Sequence, residues 1–226
     1  MDNERIDDLQ LNGLQIIQNI NEFCFGIDAV LLSDFASEIK PKSNVIDLCT
    51  GTGIVATLLC EKTKLNKIIG VEILENMCEM AKRSIKLNKL EGKLSIINED
   101  VKNIDKILDN NFYDAITVNP PYKKVNTGIV NESENMAIAK HEVKCNLNDI
   151  IKVSEKLLKK GGSFYMVHRP DRLSDIICEL REYKLEPKVI KFVYSNDNSN
   201  AKLILIKATK GGKTFLKIEN PIYMNK

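Results

Sequence analysis

Asp47-Leu48-Cys49-Thr50-Gly51-Thr52-Gly53 follows the apolar pair Val45-Ile46 and runs on into Ile54 and a further apolar stretch. Glycines at such a corner let the backbone pass close to a ligand, where a Cβ would collide. The pattern is a buried strand, a glycine-rich turn and a helix. Nineteen residues beyond Gly53 stands Glu72, closing the apolar run Ile68-Ile69-Gly70-Val71. A carboxylate at the end of a second strand can accept hydrogen bonds from both hydroxyls of a ribose, and open α/β sheets bind ligands at that edge. Asp100 follows a third apolar run and is placed to cap a short helix from Val101. Asn119-Pro120-Pro121-Tyr122 directly follows a fourth, Tyr113–Val118. Its prolines restrict their own backbone and that of the residue before them. The Asn119 side-chain carbonyl and the Pro120 main-chain carbonyl can then both accept from one planar NH₂ group. Tyr122 offers a flat face for stacking.

These groups need a sheet edge to bring them together, and the chain alternates short apolar runs with longer amphipathic ones. Strands are expected at 44–48, 67–72, 93–97, 113–118, 162–167, 188–194 and 201–208, and helices at 28–39, 53–63, 75–90, 148–160 and 171–185. Gly161-Gly162 reads as the stop of the helix 148–160, and Asp171, after Pro170, as the cap of the next one. Alternating strands and helices predict a mostly parallel, seven-stranded sheet covered on both faces. The last two strands, joined by the polar turn Ser195–Asn200, predict an antiparallel hairpin closing one edge. Segment 123–147 is polar and without clear periodicity, which predicts a substrate loop.

The 226 residues fit one domain. With 43% apolar and 28% charged residues, the composition excludes a disordered chain, a collagen-like repeat and a coiled coil. No apolar run approaches the roughly 18 residues that cross a bilayer. The start, Met1–Arg5, is polar with no apolar segment behind it, so the expected compartment is the cytoplasm. The six cysteines form no C-x-x-C pair and read as reduced, small hydrophobic residues. With only His141 and His168, no metal site is expected. Net charge is +2, but residues 1–40 hold two basic and eight acidic side chains and residues 152–226 hold sixteen and eight. The basic C-terminal half hints at a phosphate-rich partner.

The dinucleotide fingerprint G-x-G-x-x-G permits Ala56 in its third position, but Asp47 lies inside the motif and no basic side chain waits at the turn. Asp-Leu-x-Thr-Gly-Thr-Gly instead resembles motif I of the class I S-adenosylmethionine-dependent methyltransferases, with Cys49 where a glycine is often found. Asn-Pro-Pro-Tyr resembles the motif of methyltransferases that act on planar exocyclic or amide nitrogens. Phe25-Gly26-Ile27-Asp28-Ala29-Val30-Leu31-Leu32 after a short strand pair, Ala139-Lys140-His141-Glu142, Val167-His168-Arg169-Pro170 and Asn220-Pro221-Ile222-Tyr223 extend the likeness over nearly the whole chain. It is similar to the bacterial tRNA adenine-N6-methyltransferases that modify the adenine beside the anticodon of a valine tRNA.

That resemblance implies a Rossmann-like domain over 1–226, with a strand and helix extension at 1–40 and a catalytic core at 41–226. It implies S-adenosylmethionine as cofactor and a tRNA as substrate, with no metal and no membrane; a monomer is favoured. Asp28, Asp47, Cys49, Thr50, Gly51, Gly53, Glu72, Ile73, Asp100, Val101 and Asn119 would meet the cofactor. Asp47 would face its methionine end, and Asp100 the exocyclic amine of its adenine. Asn119, Pro120, Pro121 and Tyr122 would be catalytic. Lys123, Lys124 and Arg169 are candidate phosphate contacts, and His141 and His168 could touch RNA. Another RNA, a protein glutamine amide, or a non-catalytic module that keeps the cofactor pocket are the alternatives.

Overall fold

The computed structural model describes residues 3–21, 24–121 and 146–224. Tyr122, Lys123, Lys124, His141 and all of 123–147 but its last two residues lie outside them. The chain opens with β1 (Glu4–Asp8) and β2 (Gln15–Asn19), then α1 (Ile27–Phe35) with a 3₁₀ turn at Ala36–Glu38. β3 (Asn44–Leu48), α2 (Ile54–Lys62), β4 (Lys67–Glu72), α3 (Glu75–Leu87), β5 (Leu94–Asn98), a 3₁₀ turn (Val101–Lys106) and β6 (Tyr113–Val118) follow. After them come α4 (Leu147–Leu157), β7 (Leu158–His168), a 3₁₀ turn (Pro170–Arg172) and α5 (Leu173–Glu182). β8 (Leu185–Tyr194), β9 (Ala201–Lys210), β10 (Lys217–Ile218) and β11 (Ile222–Tyr223) complete the described elements.

The main sheet runs β10–β8–β9–β7–β6–β3–β4–β5, with β11 also on β8. β3, β4, β5, β6 and β7 are parallel, and β9 lies antiparallel between β7 and β8. β8 therefore points the same way as the core strands, and all of these except β9 end on one edge. The mostly parallel sheet and its antiparallel hairpin agree with the sequence. The strand count does not: β10 and β11 add to the seven expected, and two-residue strands carry no periodicity to read.

Alternate residues of each strand enter opposite cores, as a period of two requires. Ile46, Ile116, Phe164, Met166, Ile204 and Ile206 face α4, α5 and the Val101–Lys106 turn. Val45, Ala115, Tyr165, Val167 and Leu205 face α1 and α2. Burial on both faces is why the strands read as continuous apolar runs.

The β1–β2 hairpin docks on α3 by polar contacts. Ile17 N donates to Ser84 Oγ (2.9 Å), Gln15 N to Asn88 Oδ1 (2.8 Å), and Arg83 grips Glu4 at 2.6 and 2.7 Å. The buried Gln18 side chain then accepts from Phe25 N at 2.8 Å, fixing the approach to α1.

Three local expectations are overturned. Gly161-Gly162 does not stop a helix, because α4 already ends at Leu157 and β7 starts at Leu158. The glycines form a bulge between the pairs Tyr113–Leu158 and Ala115–Ser163. Gly161 sits at φ +80°, and a Cβ on Gly162 would stand 2.9 Å from Lys159 O. Asp171 does not cap α5: it lies in the 3₁₀ turn and pairs with Arg169 at 3.2 Å. Cys178, read with the other cysteines as a small hydrophobic residue, is exposed, since it falls on the outer side of α5 opposite Ile176 and Leu180. Cys60 and Cys78 are buried, which pushes both thiols up to about 11.

Candidate functional site

The carboxyl ends of β3, β4, β5 and β6 align in register, with Leu48 beside Val71 and Val118, and Glu72 beside Asn98. The glycine-rich turn, Glu72, Asp100 and Asn119 thus stand along one edge. Cys49, Gly51 and Gly53 take φ of +56°, +57° and +86°. Glycine adopts this region freely, whereas a side chain there costs about 1–2 kcal/mol; Cys49 bears that strain at the position where related motifs carry glycine. A Cβ on Gly51 would meet nothing within 4 Å, so the turn opens there onto unfilled space. Gly70, on β4, is needed for another reason: a Cβ would stand 2.7 Å from Ile96 Cδ1 and 2.8 Å from Thr50 Cγ2.

Glu72 is 5% exposed and braces this turn. Its Oε2 accepts from Gly51 N (2.9 Å), and its Oε1 from Ile73 N (2.9 Å) and Leu74 N (3.0 Å). A carboxylate has about four acceptor positions, so three are engaged and about one, on Oε2, is left for a ligand hydroxyl. Asp100 accepts from Lys102 N at 2.9 Å, which is the capping bond expected of it, and lies 3.6 Å from Lys102 Nζ. Val101 is buried behind it.

Asp47 is only 1% exposed and turns inward. Its carboxylate accepts from the hydroxyls of Thr50 and Thr117, each at 2.6 Å. It joins the glycine turn to the strand that carries Asn119. Thr117 was not singled out by its sequence; a hydroxyl in the apolar strand Tyr113–Val118, opposite a buried acid, is the signal that could have found it.

Burial pushes the Asp47 carboxyl up from about 3.8 to about 6, against the pull of the Thr117 and Thr50 hydroxyls and the nearby Ala56 backbone. Between those values the folded state holds the proton and the unfolded state does not, so this group's contribution makes stability fall as pH rises from about 4 to about 6. Two units correspond to at most about 3 kcal/mol. Asp47→Asn should remove that dependence. The melting-temperature difference, variant minus wild type, is expected to climb across pH 4–6 and level off above about 7. A difference that is flat or declines over that range would show that Asp47 ionises freely.

Asn119 is half-buried and Pro120 buried, directly beyond the fully buried Val118. Asp28 is the second residue of α1, whose N-cap is Gly26, so it is not the cap residue. Its carboxylate folds back over Gly26, where a Cβ would stand 2.6 Å from Oδ1. His168 ends β7 on the same edge but is 4% exposed, and its Nδ1 accepts from Arg169 N at 2.8 Å. Burial, with Arg172 nearby, pushes its imidazole down to about 4. It is a neutral core residue rather than a surface contact. Arg169 is exposed on the edge beside it.

Among the described residues no group of three or more His, Cys, Asp or Glu could hold a metal ion, and no helix is long and apolar enough to cross a membrane.

Curated relatives include a tRNA1(Val) (adenine(37)-N6)-methyltransferase of Porphyromonas gingivalis, 26% identical over 80% of this chain and 72% of its own. Its counterpart from Bacteroides thetaiotaomicron is 26% identical over 86% and 80%. Among solved structures, a predicted O-methyltransferase from Agrobacterium tumefaciens superposes with a TM-score of 0.70 at 19% identity, over 87% of both chains. M. jannaschii TYW2 in complex with AdoMet superposes at 0.63 and 12% identity, over 92% of this chain and 86% of that one. At such identities the likeness speaks for the fold. The family model "Methyltransferase small domain" matches residues 26–180, well over half of the sequence. The edge that gathers the glycine turn, Glu72, Asp100 and Asn119 falls inside that span, and the chain belongs to the methyltransferase small domain family.

Proposed function

We propose that this protein transfers a methyl group from S-adenosylmethionine to the N6 nitrogen of an adenine in RNA, in the anticodon loop of a tRNA. The observation that carries the reading is the shared edge: four parallel strands deliver a ligand turn, two carboxylates and Asn119-Pro120 to one place. The curated relatives, named for adenine 37 of tRNA1(Val), support the choice of substrate.

The residues fit the cofactor. The open space over Gly51 would admit a ligand against backbone, and the remaining acceptor position of Glu72 suits a ribose hydroxyl. Asp100 would take the adenine amine, with Ile73 and Val101 as neighbours of the ring. Asp47 and Thr50 would act from beneath by holding the turn, and Asp28 from the start of α1. When bound, the cofactor supplies an electrophilic methyl on a sulfonium that departs as a neutral thioether. No strong base is then needed, and catalysis rests on positioning and dipoles. The Asn119 and Pro120 carbonyl oxygens would accept both N–H bonds of the target amine. That orients the nitrogen and opposes delocalisation of its lone pair into the ring. The adenine must leave its stack to reach this edge, and a loop base is cheaper to extrude than a paired one.

The test is incubation of the purified protein with methyl-labelled S-adenosylmethionine and total RNA, followed by nucleoside analysis. Labelled N6-methyladenosine in the tRNA fraction is expected. Label on a protein glutamine amide, or in no RNA, would overturn the reading.

A further inference from the structure

At the far side of the same edge, β11 pairs with the end of β8, Tyr223 beside Tyr194. The two rings lie 5.6 Å apart with planes inclined by 30°, and Tyr223 is 37% exposed. On the neighbouring strand, Leu203 opposes Val193 and Ala201 opposes Tyr194. Lys202 is therefore the extra residue of a bulge, a device that re-aims a side chain. It is exposed, and among the described residues no acid forms an ion pair with it. One strand further in, β7 ends at His168 opposite Ile204, and Arg169 follows, paired with Asp171.

Asn119 leaves the sheet from β6. Three strand spacings of about 4.8 Å lead to Tyr194 on β8 and a fourth to Tyr223 on β11, about 19 Å from it across the strands. At about 3.4 Å per stacked nucleotide, that is the reach of about six nucleotides. A flat aromatic face with an exposed lysine two strands away is the chemistry that single-stranded nucleic acid meets: base on ring, phosphate on lysine. An apolar protein partner would have no use for Lys202, and a paired RNA helix none for an exposed ring.

We propose that Tyr223, backed by Tyr194 and with Lys202 two strands away on β9, forms a stacking platform for an unpaired nucleobase several nucleotides from the methylated adenine. The proposal rests on the RNA-methylating function above. Tyr223→Leu keeps an apolar side chain on β11 but removes the π-face, and Tyr223→Phe keeps the face. With tRNA as substrate, Tyr223→Leu is expected to raise KM about tenfold with kcat within twofold and S-adenosylmethionine affinity unchanged. Tyr223→Phe should stay within twofold of wild type. Lys202→Ala should weaken binding of a labelled single-stranded oligoribonucleotide and lower the salt dependence of that binding by about one ion.

If wild type methylates tRNA while both tyrosine variants share its KM, or both lose it equally with a lowered melting temperature, the platform is wrong and the function stands. If a second copy occupies this face, wild type will dimerise in sedimentation and Tyr223→Leu will not, which also overturns the platform. A wild type that methylates no RNA removes the proposed function, and the platform with it.

Discussion

Replacing Asn119 with alanine is expected to slow methyl transfer at least a hundredfold while S-adenosylmethionine affinity stays within about threefold. The expected scale is that of one lost, preorganised dipole at the reacting group. The backbone at this position is well held. β6 is paired on both sides, by β3 and β7, Val118 and Pro120 are buried, and the Thr117 hydroxyl is tied to Asp47 at 2.6 Å. Alanine therefore removes the carboxamide while leaving the strand in place, and the proposed cofactor anchors, on β3, β4 and β5, are untouched. Single-turnover rates with labelled cofactor, beside a calorimetric titration, separate the two effects. A near-normal rate would reduce the Asn-Pro-Pro segment to a rigid turn.

The ends of the strands were legible because their chemistry is local. Glycines and carboxylates directly after apolar runs announce a ligand edge, and strands 44–48, 67–72 and 113–118 agree residue for residue with β3, β4 and β6. What the sequence could not say is which way a carboxylate turns. Asp47 was expected to face the cofactor's methionine end; that two of its acceptor positions serve Thr50 and Thr117, seventy positions away, was not readable. Only the sheet order, with β6 beside β3, brings Thr117 there. Glu72 shows the same limit: its place was readable, but not the three N–H groups it already serves.

Two glycines after an amphipathic helix look like a stop whether they cap the helix or bulge the strand that follows. Gly161-Gly162 does the second, because β7 begins immediately after α4 and must accommodate five residues against two of β6. Cys49 is the reverse case. The sequence marked it as a departure from glycine, and its positive φ explains why glycine is common there.

Glu72→Gln is expected to weaken S-adenosylmethionine binding by roughly 10- to 100-fold, the scale of a lost hydrogen bond to a charged acceptor at about 1.5–3 kcal/mol. The substitution acts twice. One amide oxygen can keep the Ile73 and Leu74 N–H groups that Oε1 now serves, at 2.9 and 3.0 Å. The amide nitrogen then takes the place of Oε2, which accepts from Gly51 N at 2.9 Å. Two donors face each other there, so the glycine turn loses its brace, and the acceptor position suited to a ribose hydroxyl becomes a donor. Glu72→Ala would blur these effects by also freeing the start of α3. The glutamine keeps volume and half of the acceptor set, so its melting temperature should fall by only a few degrees while cofactor affinity falls far more. Calorimetric titration with S-adenosylmethionine beside thermal melts reads both. Affinity within twofold of wild type would remove Glu72 from the cofactor site and leave it as the brace of the turn alone. A loss of stability as large as the loss of binding would mean that the brace is the dominant role and the ribose contact the minor one.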